Sequence, residues 1–281
     1  MTITDLLSRF QTVEKVKKGG QKTVYKAQDH QGNNVALKII SNATDQRVIQ
    51  EIEIVKRIRI PNVPTIIENG IVADEMVGED ALYIIEEFLD GVSLRDWINS
   101  GNTADLSFAY NILETLLNTE MQLEQNQILH RDINPNNIII GNNGTIYLID
   151  FGLAKQMGGV SLTQTGAANG PFTPGYAPYE QFANIKTAQD VRTDLFQIGV
   201  TVYECITGRN PFIMPNDTIM QVMSRTMTMV PASISIQGDT KGFFSMLINM
   251  LIAKNQSQRP DTAADAMRYL QAIRSTLMIG G

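Results

Sequence analysis

The chain has 281 residues, 43% of them apolar, a formal net charge of −6 and a single cysteine. This length suits one domain in two lobes, or two small domains, with an ordinary globular core; the negative charge and the lack of a basic stripe argue against nucleic acid as a partner. Cys205 alone makes no intramolecular disulfide, and the longest apolar stretch, "FFSMLINMLIA" (243–253), falls far short of the roughly 20 residues of a membrane span.

The start, "MTITDLLSRF", has no basic segment leading into an apolar core, so it does not read as a signal peptide, and the expectation is a cytoplasmic protein without a membrane partner. From about 12 to 90 the pattern is strand-rich. "TVYKAQ" and "NVALKII" are β-branched runs around "DHQGN", which reads as a hairpin. "TDQRVIQEIEIVKRIRI" (44–60) has helical period and is ended by Pro61, and "ALYIIEEFL" (81–89) is a further strand. After "LDG" (89–91) the character changes to helix, in "SLRDWINSG" and then in "SFAYNILETLLNTEMQLEQNQ" (107–127). A hairpin over 138–149 turns at "GNNG", and a loop rich in Gly, Thr and Pro covers about 153–178. Helices dominate thereafter: 195–206, "LFQIGVTVYECI", is apolar on nearly every side, which marks a helix buried at the centre of a domain, with Gly208 as its stop.

The hairpin places chemistry. Residue 137 lies just before its first strand (138–140) and residue 150 just after its second (145–149), so antiparallel pairing sets Asn137 and Asp150 side by side. Asp132, five positions before Asn137, is carried close by on a loop. An amide oxygen beside carboxylates is a hard-oxygen site of the kind that suits Mg²⁺, which takes one or two protein ligands and completes its shell with phosphates.

"HRDINPNNIIIGNNGTIYLIDFG" (130–152) resembles the catalytic and magnesium loops of the eukaryotic-like serine/threonine protein kinases, and the resemblance runs along nearly the whole chain. It implies an α+β, bilobal protein-kinase-like fold: one kinase domain over 1–281, with a small β-rich N-lobe (about 10–88), a hinge (about 86–91) and a larger helical C-lobe (about 92–278). It implies ATP and Mg²⁺ as cofactors, protein substrates as partners, and Asp132, Lys38, Glu51, Asn137 and Asp150 as the catalytic set, with Asn137 and Asp150 on the metal.

In "VALK", Ala36 and Lys38 share one strand face, and Val24 sits on the paired strand. The family pattern gives Ala36 and Val24 to the purine and Lys38 to the α- and β-phosphates. On a helical wheel for 44–59, Val48, Ile52, Val55 and Ile58 form an apolar stripe that includes Glu51, whereas Glu53 points away. A core-facing carboxylate needs a partner, and Lys38 is the one the kinase pattern supplies. The glycine loop departs from G-x-G-x-x-G-x-V: "KKGGQKTV" keeps Gly19 and Val24, with Gly20 beside them, but has Lys17 and Lys22 at the other glycine positions. Val16, Gly19, Gly20, Val24, Ala36, Lys38, Glu87, Leu89 and Ile139 are the nucleotide contacts the resemblance implies, with the backbone of Glu87 and Leu89 on the adenine edge. Glu86 stands where an apolar residue or Thr is more common, and the sequence supplies no account of it.

Downstream, "FTPGYAPYEQF" (172–182) resembles the end of an activation segment. Thr173 is placed to support the catalytic loop, and Glu180 is to be paired with Arg259. Asp194 matches the family residue that anchors the catalytic-loop backbone, and Ser161, Thr163 and Thr165 are candidate phosphorylation sites facing Arg131. His130 reads as part of the apolar column with Val55 and Phe151, not as a base. Asn134 replaces the usual catalytic-loop lysine. The expected activity is therefore slow transfer of the γ-phosphoryl group to Ser/Thr hydroxyls, including the chain's own; the alternative is an ATP-binding pseudokinase scaffold.

Overall fold

The structure is a computed structural model that describes residues 1–18, 22–41, 46–150 and 172–279. Among these the chain divides into two compact units, Met1–Asp90 and the residues from Gly91 onward.

The first unit is an antiparallel sheet of β1 (Thr12–Lys18), β2 (Lys22–Gln28), β3 (Asn34–Ser41), β4 (Ile66–Asp74) and β5 (Glu79–Glu87) in the order β1-β2-β3-β5-β4, with helices α1 (Ile3–Leu7) and α2 (Gln46–Arg57). The β2–β3 hairpin turns where the Asp29 carboxylate accepts the backbone N–H of Gln31 and of Asn33. Strand alternation sends Val35, Leu37 and Ile39 of β3 and Ala81, Tyr83 and Ile85 of β5 into one apolar cluster, closed by Leu6 and Val72. The opposite face of the same two strands carries Ala36 and Lys38 against Glu86 and Ile84. Six consecutive residues are buried in each of these strands, so the β3–β5 pair is covered on both faces. α2 buries Ile52 and Val55, and it stops at Arg57 instead of running to Pro61. The backbone tightens where the Ile58 N–H bonds the Val55 carbonyl, and the residue before a proline disfavours helix.

The second unit has a small sheet, β6 (Gly91–Ser93), β7 (Ile138–Gly141) and β8 (Ile146–Leu148), in that order. Its helices are α3 (Leu94–Asn99), α4 (Leu106–Gln125), α5 (Tyr179–Phe182), α6 (Val191–Thr207), α7 (Ile219–Thr228), α8 (Phe243–Leu251) and α9 (Ala263–Ile273). The helix expected over 195–206 begins four residues earlier. Its first turn, Val191-Arg192-Thr193-Asp194, is too polar to betray burial, and Asp190 caps it by accepting the Arg192 N–H. Gly208 ends it in the left-handed conformation, φ 71°. Phe196, Ile198, Val200, Val202 and Cys205 of α6 pack with Leu113, Leu116 and Leu117 of α4 and Leu247, Ile248 and Leu251 of α8. No described helix is long and apolar enough to cross a membrane.

α6 and α8 approach closely at Gly199, where an added Cβ would lie 2.7 Å from Leu251 Cβ and 2.8 Å from Ile252 Cγ2. Gly199→Ala gains about 1 kcal/mol of helix propensity, but overpacking against two fixed positions costs about 1–3 kcal/mol. The expected net effect is a loss of up to about 2 kcal/mol, read as a lower urea midpoint at unchanged slope.

Candidate active site

The loop before β7 owes its shape to one buried carboxylate. Asp194 of α6 is fully buried; its Oδ2 accepts the His130 N–H and its Oδ1 the Arg131 N–H, each at 2.7 Å. Arg131 is left-handed, φ 61°, which costs about 1–2 kcal/mol for a non-glycine residue. The strain is held by those bonds and by the Arg131 carbonyl, which accepts from Gln181 Nε2 at 2.7 Å and Gln197 Nε2 at 3.1 Å. Gln197 also accepts the Ile133 N–H at 2.7 Å. His130 Nδ1 accepts the Asp132 N–H at 3.3 Å while Nε2 donates to the Ile149 carbonyl at 3.2 Å, so those two partners specify a neutral ring used as a brace.

Asp132 is pinned on both sides: Thr173 Oγ1 donates to its Oδ1 at 2.6 Å and Asn137 Nδ2 to its Oδ2 at 2.9 Å. Asn137 Nδ2 also bonds the Asp132 carbonyl at 2.9 Å, so the amide nitrogen faces the loop. Ile138 pairs with Leu148 and the Ile149 N–H bonds the Asn137 carbonyl at 2.9 Å, so Asn137 and Asp150 stand at the same end of the β7–β8 hairpin. Asp150 is left-handed, φ 59°, a second strained residue in the same place. A carboxylate and an amide oxygen there fit a hard cation such as Mg²⁺. Among the described residues, no group of three or more His, Cys, Asp or Glu offers an alternative metal site.

Asn134 is nearly fully buried and turned inward. Its Oδ1 accepts from the Asn136 N–H and Nδ2 at 3.0 Å, capping the 3-10 turn Pro135–Asn137, and its Nδ2 donates to the Asp132 carbonyl at 2.9 Å.

In the first unit, Val24 lies opposite Lys38 and Ala36 opposite Glu86, so all four share one sheet face. Lys38 and Glu86 are both buried and form an ion pair. That pairing accounts for the carboxylate the sequence left unexplained. Val16 is exposed on β1. Glu87 donates its N–H to the Thr65 carbonyl at 3.0 Å, and Leu89 is half-buried. Ile139 pairs with Tyr147 and Ser93 in the second unit. The side chain of Glu51, the glycine-loop residues Gly19 and Gly20, Phe151, and Ser161, Thr163 and Thr165 lie outside the described residues.

The segment from 172 onward is tied to the helical core. Arg259 pairs with Glu180, both buried, and also donates to the carbonyls of Ala253 at 2.9 Å and Arg192 at 3.0 Å. Tyr176 donates its hydroxyl to Glu204 of α6, which Arg95 of α3 also pairs at 2.7 Å. Burial and the Glu204 charge push the Tyr176 phenol well above its usual range, so it stays a donor.

These features define a protein kinase domain. The protein kinase domain family matches residues 10–270, and the chain belongs to that family. Among curated proteins it is similar to the serine/threonine-protein kinase PrkC of Bacillus subtilis, 29% identical over 211 residues, which is 73% of this chain and 31% of that protein. It is 27% identical over 278 residues to serine/threonine-protein kinase PknL of Mycobacterium tuberculosis, covering 97% of this chain and 67% of that one. The chain thus spans about a third of PrkC and of the probable serine/threonine-protein kinase PknB of Bifidobacterium longum (31% and 38%). Among solved structures, the M. tuberculosis PknI kinase domain superposes with a TM-score of 0.65 over 96% of both chains at 16% identity, a likeness of fold.

Sequence reading missed Gln197 and Glu120. Gln197 is the lone amide in "LFQIGV", a signal that was available. Glu120 of α4 is fully buried, with no hydrogen-bond partner on either oxygen among the described residues. Burial, with the nearby Asp194 and Glu124 carboxylates, raises its pKa well above the ordinary 4.5. Burial also pushes Asp194 up, but two backbone N–H groups favour its charge, so the proton resides on Glu120. The folded state therefore binds a proton that the unfolded chain releases above about pH 4.5, and stability falls as pH rises from there toward the folded pKa. Glu120→Gln removes that dependence. Urea titrations at pH 5 and pH 8 are expected to show little difference from the parent at the first and a clear stabilisation at the second, of at least about 1 kcal/mol.

Proposed function

We propose that the chain transfers the γ-phosphoryl group of ATP to Ser and Thr hydroxyls of proteins. The observation that carries this reading is the Asp132 carboxylate, held between Asn137 and Thr173 on a strained, anchored loop. Phosphoryl transfer is chiefly positioning and charge stabilisation. Asp132 orients the substrate hydroxyl and accepts its proton late. Asn137 and Asp150 would hold Mg²⁺, which when bound would offset the phosphate charge. Lys38 takes the α- and β-phosphates. Ala36 and Val24 cover the purine, and the Glu87 carbonyl with the Leu89 backbone meets its edge.

The inward Asn134 explains why the reaction is expected to be slow. Its amide is used inside the loop, so the donor that serine/threonine kinases place at the γ-phosphate is lacking. Losing one transition-state donor costs about 10²–10³ in rate. The same observation supports the second reading, an ATP-binding scaffold.

Incubation with Mg²⁺ and labelled ATP separates the two. Transfer to a generic protein or to the chain itself, abolished by Asp132→Ala, is the expected result; nucleotide binding without transfer in the parent favours the scaffold. Asn134→Lys is expected to raise turnover about ten-fold or more, at a cost of about 1 kcal/mol in stability from the lost cap. Steady-state rates and thermal unfolding on the same samples check both.

A further inference from the structure

Among the described residues of the first unit, Lys38 and Glu86 are the buried charged side chains, and they pair with each other. Their placement is diagonal: Glu86 on β5 lies opposite Ala36, and Lys38 is the next residue along that face of β3. Both strands are paired on both sides, β3 by β2 and β5, β5 by β3 and β4, so the carboxylate is borne on the stiffest part of the sheet. An ammonium on a four-carbon stem has about 2 kcal/mol of rotamer entropy to lose on being fixed. A buried charge deprived of its partner is strongly destabilising.

We propose that Glu86 is a positioning residue for Lys38: a strand-borne counter-ion that keeps the amine charged and fixed on the face it shares with Ala36 and Val24. The inference rests on the proposed function only in so far as the fixed amine serves nucleotide phosphates. It gives the lysine an anchor that does not depend on the helix bearing Glu51. A Leu or Thr at position 86 would leave the face without that counter-charge.

The test labels the full chain with an amine-reactive acyl reagent across pH 6–11 and follows the Lys38 peptide by mass spectrometry. Greater exposure of the buried amine would by itself raise the midpoint, so a fall separates loss of the counter-ion from simple unmasking. The midpoint is expected to fall by about one pH unit or more in Glu86→Leu and less in Glu86→Asp. In the same proteins KM for ATP is expected to rise about ten-fold while kcat changes less. If Glu86→Leu does not fold, the isosteric Glu86→Gln carries both readouts. An unchanged midpoint overturns the proposal, and so does a shifted midpoint with an unchanged KM. If the parent protein transfers no phosphate, the midpoint together with the ATP dissociation constant tests the pairing on its own, and the proposed function fails separately.

Discussion

Two backbone N–H groups donated to one buried carboxylate hold the loop that carries Asp132. Asp194 fixes the N–H side of the left-handed Arg131 while Gln181 and Gln197 hold its carbonyl, and Asp132 comes directly after it in the chain. The arrangement is tolerable because Asp194 stands on α6, the helix around which the second unit packs. Each N–H bond to a carboxylate is charge-assisted and worth more than a neutral one. The neighbouring Glu120 remains protonated because its buried carboxylate, unlike that of Asp194, has no hydrogen-bond donor among the described residues to offset a charge.

α6 also organises the segment from 172 to 182. Arg259 ties Glu180 to the start of α6 through the Arg192 carbonyl, and Glu204 holds Tyr176 near the far end of the helix. Thr173, in the same segment, reaches Asp132 with its hydroxyl. Asp132 and the segment that supports it are thus positioned by buried polar ties to one rigid element, and each tie has its partners satisfied, which is the condition for such networks to rigidify their surroundings.

Periodicity carried much of this in the sequence. Alternation along "VALK" put Ala36 and Lys38 on one face, and a hairpin around "GNNG" was enough to bring Asn137 beside Asp150. Motif resemblance supplied the tie between Glu180 and Arg259, 79 positions apart, which no local pattern could have shown. Polar contacts between distant elements were mostly illegible. Nothing local says that Glu86 meets Lys38 or that Gln197 bonds Arg131, because such pairs depend on strand register and helix packing. The inward turn of Asn134 was likewise hidden: an Asn two residues before another Asn is equally suited to a cap or to a ligand contact until the backbone is known. Helix ends slipped where polar first turns, as at Val191–Asp194, mask burial.

The proposed function requires one nucleotide to meet both the anchored oxygens of the second unit and the paired amine of the first. A crystal structure with a non-hydrolysable ATP analogue and Mg²⁺ is the sharpest test. The expected result is a cation bound by Asn137 and Asp150, with Lys38 Nζ on the α- or β-phosphate. A triphosphate bound elsewhere, or a cation that touches neither oxygen, would contradict it.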